Sequence, residues 1–185
     1  DGVVELIEAG VITNKRKTLH PGKTVVTFLM GTKRLYDYAD DNPSIYMCPV
    51  DYVNDPFIIA RNDNLISINS CIQVDLQGQV AAESAGLSQI SGIGGQTDFV
   101  RGARRSKGGK SIMAIGSTAK RETVSKIVPF LDEGAAVTTS RTDVDYIVTE
   151  YGIAALRGKS LRQRASALIK VAHPDFRAGL AEEYE

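Results

Sequence analysis

Three apolar runs constrain what this chain can fold into more than any other feature. Val25 to Met30, Leu65 to Ile72 and Ile112 to Ile115 are rich in β-branched and long aliphatic residues. Such runs are expected of strands buried on both faces. Helical patterns stand between them, so the chain reads as an α/β domain: a layered, central mixed β-sheet flanked by helices.

Asp1 can cap a first helix whose apolar positions Val3, Leu6 and Ile7, with Val4 as a further candidate, recur at helical spacing, with Gly10 as the residue past its end. A helix already under way at Asp1 reads as a chain cut from something longer. Thr32 to Asp40 is a second helix, halted by Asn42-Pro43, and Ile45 to Val50 a short strand. Asp51 to Arg61 is expected to be helical and carries Val53-Asn54-Asp55-Pro56. Leu65 to Val74 reads as one long strand, with Ile66, Ile68, Ser70 and Ile72 on one face and Asn69, Cys71 and Gln73 on the other. A turn at Asp75 to Gln79 returns it as a hairpin through Val80 to Glu83. Ile127 to Leu131, Ala135 to Thr139 and Tyr146 to Thr149 are further strands. The pattern Leu161, Ala165, Leu168, Ile169, Ala172 is helical, and Pro174 opens a last helix with Phe176 and Leu180 inward.

The hairpin leads into Ser91-Gly92-Ile93-Gly94-Gly95-Gln96-Thr97-Asp98-Phe99. Three glycines within four positions leave backbone amides unshielded, and a helix expected from Asp98 to Ala103 adds orphan donors at its start. The stretch is a nest for an anion or oxyanion, or a plain reversal of the chain. Asn69 lies on a strand that leads toward it, and Asn is unusual inside a strand. Asp98 reads as the N-cap. Arg101, Arg104, Arg105 and Lys107 follow, as a solvated face or a contact for a phosphate.

Any anion binding must be local. With 22 basic and 22 acidic residues and a pI near 6.9, the chain has no global field for nucleic acid or an anionic membrane. No apolar run approaches the roughly 18 residues of a membrane span. Cys48 and Cys71 stand in apolar runs without ligand spacing and read as buried free thiols, which suits a reducing, cytoplasmic compartment. His20 and His173 each precede a proline and have no partner at ligand spacing, so no metal is expected.

Taken together, several segments resemble the C-terminal domain of the acetyl-CoA hydrolase/transferase family, which includes 4-hydroxybutyrate, butyryl-CoA:acetate and succinyl-CoA:acetate CoA-transferases. The resemblance is carried by Asp1-Gly2-Val3-Val4-Glu5-Leu6, Phe28-Leu29-Met30-Gly31, Pro49-Val50-Asp51-Tyr52-Val53-Asn54-Asp55-Pro56, Ile68-Asn69-Ser70 and the glycine stretch. Further on come Val137-Thr138-Thr139-Ser140-Arg141, Val148-Thr149-Glu150-Tyr151-Gly152 and His173-Pro174-Asp175-Phe176. It spans nearly all of residues 1–185.

The resemblance implies the CoA-transferase fold and a ping-pong transfer of coenzyme A between a short-chain acyl-CoA and a carboxylic acid. In that chemistry a glutamate attacks the thioester and becomes a glutamyl-CoA thioester. Each step passes through an oxyanion that amide donors must meet. By resemblance those donors are the backbone N–H of Gly95 and the side-chain amide of Asn54, while Asn69, Ser91, Gly92, Gly95 and Lys120 contact coenzyme A. Coenzyme A is then a substrate, with no permanent cofactor. The nucleophilic glutamate lies just upstream of Asp1, and an N-terminal domain absent from this chain completes the cleft. A homo-oligomer is expected as well. Acyl-CoA hydrolysis, and a non-catalytic module that only binds CoA or a nucleotide, are the alternatives; Glu83, Glu122 and Glu150 are the internal candidates for a nucleophile.

Overall fold

The computed structural model describes residues 1–184. Helix α1 (Gly2–Glu8) ends at Ala9, and Gly10, at φ +72°, makes the left-handed turn only glycine adopts freely. Asp1 makes no cap bond to this helix; its carboxylate instead accepts from the amide and hydroxyl of Thr32. Strand β1 (Thr24–Val26), helix α2 (Lys33–Ala39) and strand β2 (Ile45–Met47) form a β-α-β unit whose two strands pair in parallel. The first apolar run is thus only partly a strand. Phe28, 67% exposed, and Met30 stand in solvent where sequence had placed them in a buried strand.

The helix expected over Asp51 to Arg61 is two: α3 (Val50–Val53) and α4 (Pro56–Ile59). Pro56 cannot continue a helix begun before it but fits the first turn of a new one, which Asp55 caps through the Phe57 amide. Asn54 is the last residue before that break. The long strand expected from Leu65 to Val74 also divides. Strand β3 (Ile66–Asn69) and strand β4 (Gln73–Asp75) belong to different sheets, parted at Ser70 to Ile72.

Strand β4 continues as expected into a hairpin with β5 (Val80–Ala81), closed by the Asp75 carboxylate, which accepts from Gln77 and Gln79. A small hairpin of β6 (Ser84–Ala85) and β7 (Ser88–Gln89) then carries the glycine stretch to helix α5 (Gln96–Arg105). Strand β8 (Lys110–Ala114) returns beside β3. A hairpin of β9 (Thr118–Ala119) and β10 (Val124–Ser125) follows, then β11 (Ile127–Val128), parallel to β4. Ala135 to Thr139, expected as a strand, makes a single bridge, between Thr139 and Val80. Strands β12 (Tyr146–Thr149) and β13 (Gly152–Ala155) precede helices α6 (Leu161–Val171) and α7 (Pro174–Glu182).

The largest sheet has the order β13-β12-β8-β3 and is mixed, parallel except for β13. Mixed pairing with helices against it is the architecture expected, but it is distributed over several small sheets instead of one. Met113, Ile147 and Ala154 point from one face into a core shared with Val100 of α5 and with Ala165, Leu168 and Val171 of α6. At about 25 cal/mol per Å², each of these large aliphatics contributes roughly 2 kcal/mol of burial. The opposite face carries Ile66, Ile68 and Ile153, all exposed. Strand β3, expected to be interior, is therefore an edge strand whose buried side chain is Ser67.

Cys71 is buried as expected, and desolvation pushes its thiol up to about 12, while Cys48 is only half-buried. No helix among the described residues is long and apolar enough to cross a membrane.

Candidate active site

The break between α3 and α4 and the start of α5 meet at one place. Asn54 and Gly95, which are 41 positions apart in sequence, are in direct contact: a Cβ built on Gly95 would overlap the Asn54 side-chain amide nitrogen. The absence of a side chain at Gly95 is what lets that amide stand beside the backbone N–H. Asn54 also donates to Asp98 Oδ2 at 3.4 Å, a long bond that turns its NH₂ toward the start of α5. The N-cap of α5 is Gly95, with no side-chain cap bond; Asp98, expected as the cap, stands in the first turn. There its charge favours the helix N-terminus.

Among the described residues, the amides of Gly92 to Asp98 have no hydrogen-bond acceptor in the protein. The last anchored amides before them are those of Ile90 and Ser91, which donate to the Glu83 carbonyl. The first one after them is Phe99, bonded to Gly95. A row of unpaired donors at the start of a ten-residue helix is suited to an anion or a developing oxyanion. Gly94, Gly95, Gln96 and Asp98 of this row border a cleft of about 1160 Å³. Asn54, Asn69, Gly94, Gly95, Gln96, Asp98 and Phe99 line it, facing Val25 to Phe28.

Asn54, Asn69 and Gly95 are therefore brought together as the resemblance implied. Asn69, at the end of β3, donates to Ser67 Oγ at 2.8 Å, which fixes its rotamer. Ser91 and Gly92 are exposed on the loop and do not line the cleft. Lys120 also lies outside it, in the β9–β10 turn, where Lys120, Arg121 and Glu122 all take left-handed φ between 49° and 66°. A lining residue that the sequence analysis did not single out is Gln96. Its side-chain NH₂ donates to the Ser70 carbonyl at 2.7 Å, and its Oε1 accepts from the Thr139 hydroxyl at 2.9 Å. Partners 26 and 43 residues away leave no mark on the local pattern.

The acidic alternatives are placed differently. Glu150 accepts from both the amide and the hydroxyl of Ser117. Those bonds, the hydroxyl's first, hold its carboxyl below the ordinary range. Glu122 is exposed in the β9–β10 turn. Glu83 stands at the foot of the glycine loop with Oε2 buried and without a hydrogen bond. None of the three lines the cleft.

The arginines after the loop are engaged. Arg101 and Arg104 pair with Asp143 at 3.2 and 3.3 Å, and Arg105 lies over the Phe57 ring. Arg104 and Arg157 flank the buried Asp145, whose Oδ1 they approach to 3.8 and 3.9 Å. A second hollow, of about 820 Å³, is lined by Asn14, Lys17, His20, Tyr52 and Asn62 among apolar residues. Several of its polar groups already bond within the protein: Asn14 to Thr24, Lys17 to the Lys23 carbonyl, His20 to Tyr52, and Asn62 to the Leu19 amide, while Arg16 at its rim is exposed. The row of unpaired backbone donors is at the first cleft.

Comparison with known proteins identifies the family. The family described as the acetyl-CoA hydrolase/transferase C-terminal domain matches residues 31–184. The 4-hydroxybutyrate coenzyme A transferase of Clostridium kluyveri is 65% identical over 100% of this chain and 43% of its own length. Among solved structures, RipA from Yersinia pestis superposes with a TM-score of 0.92 at 53% identity, over 98% of this chain and 41% of that one. The 4-hydroxybutyrate CoA-transferase of Porphyromonas gingivalis gives 0.86 at 52%, over 100% and 42%. The chain thus spans about two-fifths of the length of these relatives. With its fold, its glycine nest and these likenesses in agreement, the chain belongs to the acetyl-CoA hydrolase/transferase family, matching that family's C-terminal domain.

Proposed function

We propose that this chain is the oxyanion side of a CoA-transferase site, acting on a short-chain acyl-CoA and a carboxylate acceptor. The observation that carries the reading is the contact of the Asn54 amide with Gly95 beneath a row of unpaired N–H donors. A glutamate attacks the acyl-CoA carbonyl, and the charge on the carbonyl oxygen falls between the Gly95 N–H and the Asn54 NH₂. Collapse expels the CoA thiolate and leaves an acyl-glutamyl anhydride. The thiolate then attacks the glutamyl carbonyl, releases the first carboxylate, and leaves a glutamyl-CoA thioester. An incoming carboxylate reverses the sequence with the new acyl group. Removing one such donor typically slows catalysis by about 10²–10³-fold.

In this reading the nucleophile is a glutamate on the N-terminal side of Asp1. The fixing of Asp1 by Thr32 supports it, because Thr32 closely follows the Phe28 segment that borders the cleft. Asn69 and the loop residues Ser91 and Gly92 hold coenzyme A, with Lys120 reaching it from the β9–β10 turn. A preceding domain and a second copy of the protein are the partners, in a reducing cytoplasm.

Treating the longer protein that carries this chain with acetyl-CoA and borohydride tests the reading. Reduction of a glutamyl thioester to the alcohol marks one carboxylate. The mark is expected on a glutamate just before Asp1, and a mark on Glu83, Glu122 or Glu150, or none, overturns it. Release of free CoA without an acceptor acid identifies a hydrolase, which shares the first half of the chemistry.

A further inference from the structure

The glycine nest is held by few bonds of its own, the Ser91 hydroxyl donating to the Gly92 carbonyl and the Phe99 amide to the Gly95 carbonyl. Glycine has the largest conformational freedom of any residue, and Gly92 to Gly95 make no hydrogen bond through their amides. A donor array speeds a reaction only if it is already aimed before charge develops. Ties beyond those few bonds are therefore needed to aim the Gly95 N–H.

We propose that Gln96 is the positioning residue of the cleft. Its side chain spans two elements that do not pair with each other, the Ser70 carbonyl after β3 and the Thr139 hydroxyl beside β5. Thr97 adds a parallel tie, its hydroxyl donating to the Thr138 carbonyl at 2.8 Å. Thr139 is anchored in turn by paired bonds to Val80, and Thr138 by the Ala82 amide. Ser70 follows Asn69 directly, so one amide side chain fixes the Gly95 N–H relative to Asn69. The donor to the oxyanion and the strand end proposed to meet coenzyme A are held in one frame. Gln96 needs both ends of its amide: the NH₂ for Ser70 and the oxygen for Thr139.

This inference rests on the oxyanion reading of Gly95, so its test has two independent readouts. The first is the backbone amide of Gly95 in ¹⁵N NMR spectra of the longer protein. Gln96→Met, similar in length and without hydrogen bonds, is expected to increase fast motion at Gly94 and Gly95 while β12 and β13 stay unchanged. Thr139→Val is expected to do the same from the other end, and Thr139→Ser to behave as the parent. These variants keep the test open should Gln96→Met fold poorly. The second readout is CoA transfer from acetyl-CoA to butyrate by the longer protein. Gln96→Met is expected to lower kcat about a hundredfold with KM for acetyl-CoA within twofold, and to add little on top of Asn54→Ala. An unaltered Gly95 amide in both Gln96→Met and Thr139→Val overturns the positioning role whatever the kinetics. A mobilised Gly95 in a protein whose parent transfers no CoA upholds the role and removes the functional reading instead.

Discussion

The two ends of α5 are in opposite states. At its start, donors are laid out with no acceptor, and the residues that surround them, Asn54, Gln96 and Asp98, hold the arrangement in place. At its far end the arginines are matched by Asp143, Asp145 and the Phe57 ring. The matched end looks busier but only holds the helix to α4 and to the approach of β12. The unmatched end is where a ligand has something to contribute. A third place shows what donors do once a carboxylate arrives: the Ser117 hydroxyl first, and its amide beside it, donate to Glu150 and hold its carboxyl below the ordinary range.

The sharpest way to break the comparison is Gly95→Ala. Its φ of −97° accepts alanine, so stability changes by less than about 1 kcal/mol. The new methyl must displace the Asn54 amide, and kcat for CoA transfer in the longer protein is expected to fall roughly 10²–10³-fold. Asp145→Ala tests the other end. It strips a 2%-exposed carboxylate from Arg104 and Arg157 and leaves the buried Ser111 amide without its acceptor. A loss of about 2 kcal/mol in urea unfolding is expected, with turnover per folded molecule unchanged.

The smallest effect concerns Glu150. Its folded pKa lies below the ordinary 4.5, so it contributes stability above that value that is lost as pH falls through the folded pKa. Ser117→Ala removes the hydroxyl donor, the largest cause. The acid limb of a stability–pH curve should then become shallower below about pH 4.5, while a curve that keeps its slope refutes the assignment.

The sequence carried the fold in its coarse form, because alternating β-branched runs and helical patterns are local. It misplaced β3 as an interior strand, since Ile66 and Ile68 have the same hydrophobicity whether covered or bare. It ran β3 into β4 because nothing in Ser70-Cys71-Ile72 forbids an extended chain. Helix α3 ends at Asn54 for a reason that was legible, the Pro56 ring, yet the contact between Asn54 and Gly95 was reached only through resemblance. Gln96 escaped altogether, because a side chain that bridges remote backbone carbonyls and hydroxyls shows no spacing.

The close seating of Asn54 on Gly95 also limits how this position can drift. Every amino acid that a single base change can put in place of glycine carries a Cβ, so no one-step neighbour of that codon leaves the amide where it is. A lineage that lost the residue could recover the geometry only by returning to glycine.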